Sequence, residues 1–239
     1  GAEDYTAFRI PSMVVTPKGT IVVICEGRKK SFADHGDIDL VMKRSRDGGK
    51  TWDKLRVIMD DGDNTAGNPC PVVDRKDGAI VLPFCRNNKE VLVMRSTDEG
   101  ETWSEPVNIT AQVTEPRWTW YATGPGHGIQ LRGGRLLIPC DHIVDNATRE
   151  QPGLYASHVI YSDDHGRTWR LGGILESHTN ECQAVETADD LIYLNMRSYH
   201  GKNRRAISWS RDGGEGFSSV APGEALIEPT CQASLTRLH

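Results

Sequence analysis

Ser45-Arg46-Asp47-Gly48-Gly49-Lys50-Thr51-Trp52 returns three times further along the chain. The second copy is Ser96-Thr97-Asp98-Glu99-Gly100-Glu101-Thr102-Trp103, and the third is Ser162-Asp163-Asp164-His165-Gly166-Arg167-Thr168-Trp169. The fourth, Ser210-Arg211-Asp212-Gly213-Gly214-Glu215-Gly216-Phe217, keeps the first half and loses Thr and Trp. The starts lie 51, 66 and 48 residues apart. Each residue type in S-x-D-x-G-x-T-W has a structural use at its place. Asp accepts hydrogen bonds from nearby backbone N–H groups and closes a turn. Gly permits positive φ. Ser and Thr bond locally to the backbone, and Trp supplies a large apolar anchor. The repeated Asp residues are therefore read as scaffold and not as a catalytic series. The ligand series of an EF-hand calcium loop is missing.

The run before each copy reads as a strand: Asp39 to Met42, Val91 to Met94, His158 to Tyr161, and Ala206 to Trp209. The motif is then a hairpin turn used once per unit of roughly 50 residues, the length of a four-stranded propeller blade. The sequence predicts no helix of ordinary length. The 24 glycines and 12 prolines fall mostly between short apolar runs, which favours many short strands. Four boxes correspond to four to five blades. An open propeller leaves exposed edges, so the 239 residues are expected to be one propeller domain, 1–239, lacking its C-terminal blades.

Composition narrows the rest. Against 33 acidic residues stand 28 basic ones, a formal charge of −5, which argues against a nucleic-acid binder with a general basic surface. No stretch approaches the roughly 18 consecutive apolar residues of a membrane helix. The six cysteines, Cys25, Cys70, Cys85, Cys140, Cys182 and Cys231, form no CxxC pair and mostly sit in apolar runs, so free, buried thiols are expected.

Several polar residues stand out at strand ends. Arg9 in Phe8-Arg9-Ile10-Pro11 interrupts an apolar strand entry, where a guanidinium needs a partner. Glu26-Gly27-Arg28 follows the apolar run Ile21 to Cys25, and a loop with Asp34, Asp37 and Asp39 comes next. Asn180-Glu181-Cys182-Gln183 precedes a strand, and Asn195-Met196-Arg197 ends one. Propeller pockets gather side chains from such places on successive blades.

Phe-Arg-Ile-Pro near the start, the Gly-Arg step, the Asp that follows it, Asn-Glu-Cys-Gln, Met-Arg and the repeated Asp boxes together resemble the sialidase (neuraminidase) family. Trp120 to Gln130 is similar to its members too. The resemblance implies an all-β fold, a six-bladed β-propeller of which this chain holds about four to five blades. It implies a retaining exo-sialidase that removes terminal α-linked sialic acids from glycoconjugates, its partner being a sialylated glycan. It implies no metal and no organic cofactor, and export to the outside or the periplasm. Arg9, Arg28 and Arg197 match arginines that bind the sialic acid carboxylate, which suits a guanidinium fork. Asp34 matches the acid/base, with Asp37 and Asp39 as competitors. Asp39 alternates with apolar neighbours and reads as a strand-face residue.

Glu181 matches the glutamate that activates the nucleophile, with Glu186 as its rival. Asn68, in Gly67-Asn68-Pro69-Cys70-Pro71, resembles a residue lining the acetamide side of the pocket, or else an Asn-Pro turn. Arg117-Trp118-Thr119-Trp120-Tyr121 reads either as an aromatic wall or as core. The family's nucleophile is a late tyrosine, joined by a further late arginine. No tyrosine here has that position, and Arg237 lies too near the end to match. A tyrosine suits a substrate that itself carries a carboxylate, since an acidic nucleophile would be repelled. The competing reading is a non-catalytic propeller that binds glycan or protein. A sialyl-transferring relative or another glycoside hydrolase on the same scaffold is also compatible.

Overall fold

A computed structural model describes residues 3–144 and 155–237. Among these, the regular structure is eighteen strands and one four-residue helix, α1 (Thr110–Val113). The strands form four antiparallel sheets in chain order. The first is β1 (Ala7–Val15), β2 (Ile21–Arg28), β3 (Ile38–Ser45) and β4 (Arg56–Met59). In the second, β5 (Ala66–Gly67) and β6 (Val72–Val73) both pair with β7 (Ile80–Arg86), followed by β8 (Glu90–Ser96) and β9 (Val107–Asn108). In the third, β10 (Trp118–Thr123) and β11 (Ile129–Gln130) pair with β12 (Leu136–Val144), then β13 (Tyr155–Ser162) and β14 (Arg170–Ser177). The fourth is β15 (Thr179–Glu186), β16 (Ile192–Ser198), β17 (Arg204–Ser210) and β18 (Ala221–Ile227). Each sheet is one blade. β1 touches β6, β6 touches β11, and β11 touches β15, so the first strands line the inside of an arc.

The four repeats occupy the turns leaving β3, β8, β13 and β17, as their sequence predicts. In the first, Ser45 Oγ donates to Asp47 Oδ1 at 2.8 Å, and Thr51 donates to Asp47 through N–H at 2.9 Å and through Oγ1 at 2.6 Å. The second and third repeat these bonds on Asp98 and Asp164. The Thr51 hydroxyl leads the donors that hold Asp47 down at about 2. Burial works the other way at Asp98 and Asp164, but the same donors outweigh it and bring both to about 2. These carboxylates are committed to the turn.

The core lies between blades. One cluster joins Val22, Ile24, Leu40 and Met42 of the first blade to Ile80, Leu82 and Phe84 of the second, and Trp103 packs against it. A second cluster joins the second and third blades around Trp169. A third joins the third and fourth, with Phe217 against it. The second, third and fourth repeats thus set their final aromatic on the seam with the blade before them. Polar contacts follow the same direction. Glu99 accepts from Thr16 and Thr20, Asp74 pairs with His165 Nδ1 at 2.6 Å, and Arg135 reaches Glu215 at 3.0 Å. Trp52, in the first repeat, is 43% exposed, against 3% for Trp169.

All six cysteines are free. Cys70, Cys85, Cys140 and Cys182 are buried as expected, and Cys25 is half-buried. Cys231 departs from the expectation and is exposed, because it follows β18 in a segment without regular structure. No helix among the described residues is long and apolar enough to cross a membrane.

Candidate active site

All four inner strands are broken where they approach one shared cavity. In β1 the register slips between Arg9 and Ser12, opposite Glu26 and Ile24, and Ile10 takes φ 53°. In β10 it slips between Trp118 and Trp120, and in β15 between Thr179 and Cys182. The second blade's inner strand is split into β5 and β6 around Asn68, at φ 55°. Bulges re-aim side chains, and a branched residue such as Ile10 at positive φ is a strained placement. The residues at these breaks line one cavity of about 730 Å³. It brings together Arg9, Arg28, Asp34, Asn68, Glu181 and Arg197, which the sequence had singled out. The repeats lie at the other end of the strands. In β2, Ile21 pairs with Ser45 at the repeat while Arg28 pairs with Ile38, roughly 23 Å of strand apart at the usual rise per residue.

Arg28 is the buried anchor. Its side chain is 2% exposed, and its Nη2 and Nε donate to Glu26 Oε2 at 2.6 Å and 3.0 Å. Glu26 Oε1 accepts the Asn68 N–H at 2.9 Å. Burial pushes the Glu26 carboxyl upward, against the lowering effect of the Asn68 N–H and Arg28. Arg28 Nη1 also donates to the Phe32 carbonyl at 2.6 Å and lies 2.7 Å from Asp34 Oδ1. Arg9 meets the same Asp34 oxygen at 3.3 Å and is half exposed. Asp34 is 58% exposed at the cavity mouth.

The two competing aspartates are engaged elsewhere. Asp39 is buried in β3, accepts the Tyr5 hydroxyl at 2.6 Å and pairs with Lys29 at 3.0 Å. Asp37 pairs with Lys29 and Lys30 at 3.1 and 3.4 Å.

On the opposite wall, Arg197 Nη1 donates to Glu181 Oε2 at 2.9 Å. Burial acts against the Arg197 charge, but the bond and ion pair with Glu181 outweigh it and shift the group upward. Its guanidinium lies 5.1 Å from the Tyr199 ring centroid, within cation–π range. Burial raises the Tyr199 hydroxyl above its ordinary value, and Arg197 only partly opposes this. Glu186 lies at the far end of β15, where it accepts the Arg132 N–H at 2.9 Å. Arg237 is also away from the cavity and donates to the Glu186 carbonyl at 3.3 Å.

The stretch Arg117 to Tyr121 divides between the core and the cavity. Trp118 stacks on His142 at 3.7 Å, and Tyr121 is buried in the core. Trp120 faces the cavity with Tyr155, their centroids 6.1 Å apart. The bulge between Trp118 and Trp120 separates two residues that a regular strand would place on one face. Glu26, His35, Asn87, Asn88, Tyr155 and Tyr199 also line the cavity and were not assigned from the sequence. Glu26 could have been found, since positions i and i+2 of a strand share a face. The others carry no motif. Among the described residues, no cluster of three or more His, Cys, Asp or Glu is arranged to hold a metal ion.

The BNR repeat-like domain matches residues 19–236. A sialidase of Bacteroides fragilis is 31% identical, over 98% of this chain and 47% of the relative. An exo-alpha-sialidase of Aspergillus fumigatus is 34% identical, over 98% and 62%. A sialidase of Micromonospora viridifaciens is 33% identical, over 99% and 40%. The chain thus spans about half the length of the curated relatives it matches. Of solved structures, a Hadza microbial sialidase superposes with a TM-score of 0.83 at 32% identity, covering 92% of this chain and 47% of that one. An intramolecular trans-sialidase from Ruminococcus gnavus shares the fold, with a TM-score of 0.76 at 18% identity over 92% and 71%. This chain therefore belongs to the BNR repeat-like proteins and, among them, to the sialidase family.

Proposed function

We propose that the protein carrying this chain is a retaining exo-sialidase acting on terminal α-linked sialic acids. The observation that supports this best is the convergence on one cavity of three arginines, Asn68 and two separate carboxylates, Asp34 and Glu181. In this reading Arg9, Arg28 and Arg197 receive the sugar's carboxylate, and Asn68 faces its acetamide side. An incoming carboxylate takes the place of Asp34 beside Arg9, and Asp34 carries out the proton transfer. A tyrosine carried outside residues 1–239 attacks the anomeric carbon while Glu181 takes its proton. The glycosidic C–O bond breaks, and Asp34 gives its proton to the leaving oxygen. In the second half Asp34 takes a proton from water, water attacks the anomeric carbon, and the tyrosine leaves with the proton held by Glu181. Trp120 and Tyr155 give the sugar an aromatic wall.

The test is release of 4-methylumbelliferone from its sialic acid glycoside. Residues 1–239, the full-length protein and its Asp34→Ala variant are compared. The reading expects turnover by the full-length protein and a loss of about 10²–10⁴ in Asp34→Ala, the usual worth of a general acid/base. A folded full-length protein without turnover overturns it and favours a propeller that binds glycan or protein without cleaving it.

A further inference from the structure

Asp141 sits in β12, fully buried. Its Oδ2 accepts the Asn180 Nδ2–H at 2.8 Å. Its Oδ1 is buried too and accepts from no donor among the described residues. No cation hydrogen-bonds to either oxygen among the described residues. Its cross-strand partner in β13 is Ser157. Ser157 Oγ donates to the Asn180 carbonyl at 2.5 Å, and Ser157 N–H donates to Thr179 Oγ1 at 2.9 Å. Two facing residues of the third blade thus grip the side chain and the main chain of one residue in the fourth.

The grip falls inside the β15 bulge, where pairing with β16 lapses between Thr179 and Cys182. The next residue is Glu181. Backbone pairing cannot fix its direction there, so side-chain contacts must. A buried carboxylate with a single amide donor would leave an uncompensated charge, at a cost that a protonated acid avoids.

We infer that Asp141 is a positioning residue, an uncharged hydrogen-bond acceptor that fixes Asn180 and thereby aims Glu181 at Arg197. This rests on the reading of Glu181 as the group that activates the nucleophile. The titratable groups around Asp141 are Glu181 and Cys182 of β15, Arg197 of β16 and Tyr199 just after it, Tyr121 of β10 and Cys85 of β7. Burial, then the Glu181 charge, push its carboxyl well above the ordinary range, and Arg197 only partly opposes them.

The experiment compares Asp141→Asn and Asp141→Leu in the full-length protein. Asn keeps an acceptor and cannot ionise, whereas Leu removes the acceptor at similar volume. For Asp141→Asn, kcat within about threefold of the wild type is expected, and for Asp141→Leu a kcat at least about 30-fold lower with KM changed less than about threefold. A second readout needs neither activity nor the Leu variant. An acid protonated when folded loses its proton on unfolding above about pH 4, so this group costs the wild type stability as pH rises, a cost that Asp141→Asn lacks. The Tm gap between the two should widen in favour of Asp141→Asn from pH 5 to pH 9.

A constant gap overturns the uncharged acid. Equal damage by Asn and Leu, or wild-type kcat in Asp141→Leu, overturns the positioning role. If the wild type itself shows no turnover, it is the Glu181 reading that falls. The Tm gap then still decides the state of Asp141.

Discussion

Glu26 binds Arg28 and Asn68 at once, one carboxylate oxygen for each, Oε2 at 2.6 Å from Arg28 Nη2 and Oε1 at 2.9 Å from Asn68 N. It ties the arginine of the first blade to the broken inner strand of the second. Gly67 leaves it room, since a Cβ there would come within 2.7 Å of Oε1. Removing one member of a buried pair strands the other charge, at about 3–5 kcal/mol. Asp34 remains 2.7 Å from Arg28 Nη1, so Glu26→Gln should fall at the lower end of that range. Urea denaturation measures it, and a loss below about 0.5 kcal/mol, as for a surface change, would refute the anchoring role.

The aromatic at the end of each repeat should matter in proportion to the seam it fills. Trp169 is 3% exposed and Trp52 is 43% exposed. Trp169→Ala should cost about 3–5 kcal/mol, as large buried aromatics do. Trp52→Ala should cost under about 1 kcal/mol. Equal losses in parallel denaturation curves would show that the seam is not what the repeat stabilises.

His142 and His158 face each other through their Nδ1 atoms at 3.0 Å, so one carries a proton and the other accepts it. Burial lowers His142 to about 4, and burial followed by the charge of His142 lowers His158 well below its usual value. The unfolded chain takes up protons near pH 6.5 while the folded pair stays neutral. Stability from the pair is therefore complete above about pH 6.5 and is lost as pH falls toward 4, by up to about 1.4 kcal/mol per pH unit for each histidine. Imidazole proton resonances measure this directly. Those of His142 and His158 should stay at their neutral positions from pH 7.5 to pH 5, and a midpoint near 6.5 for either would rule the arrangement out.

The thiols should separate by exposure. Cys231 is exposed, whereas Cys70, Cys85, Cys140 and Cys182 are buried. Burial pushes Cys85 up to about 12 and Cys25 to about 11. Reaction follows the thiolate. Iodoacetamide on the folded protein should label Cys231 first, with the four buried positions modified only after denaturation. Peptide mass spectrometry reads the order, and early labelling of Cys140 or Cys182 would contradict it.

Much of this was legible from local chemistry. The repeats announce themselves because Ser, Asp, Gly and Thr bond within eight residues of one another, and the strands before them are plain apolar runs. Arg9, Arg28, Asp34, Asn68, Glu181 and Arg197 were gathered by their resemblance to motifs of the family, and local chemistry alone left each of them with a plainer reading. Asp141 gave no such sign. It lies between Cys140 and His142 in a continuous strand, and its partner Asn180 is 39 residues away. The divergence of Trp118 and Trp120 was hidden as well, since a bulge is a property of the pairing and not of either strand alone. Tyr155 opens β13 and Tyr199 follows β16, and no motif marks either as a cavity residue.

The seams have a direction. Glu99 reaches back to Thr16 and Thr20, His165 back to Asp74, and Phe217 back to the core of the third and fourth blades. Every docking surface is synthesised before the repeat that grips it. A chain leaving the ribosome thus meets finished ground with each new blade. The arc can grow by ordered addition, with no blade waiting on sequence still to be translated for its grip on the one before.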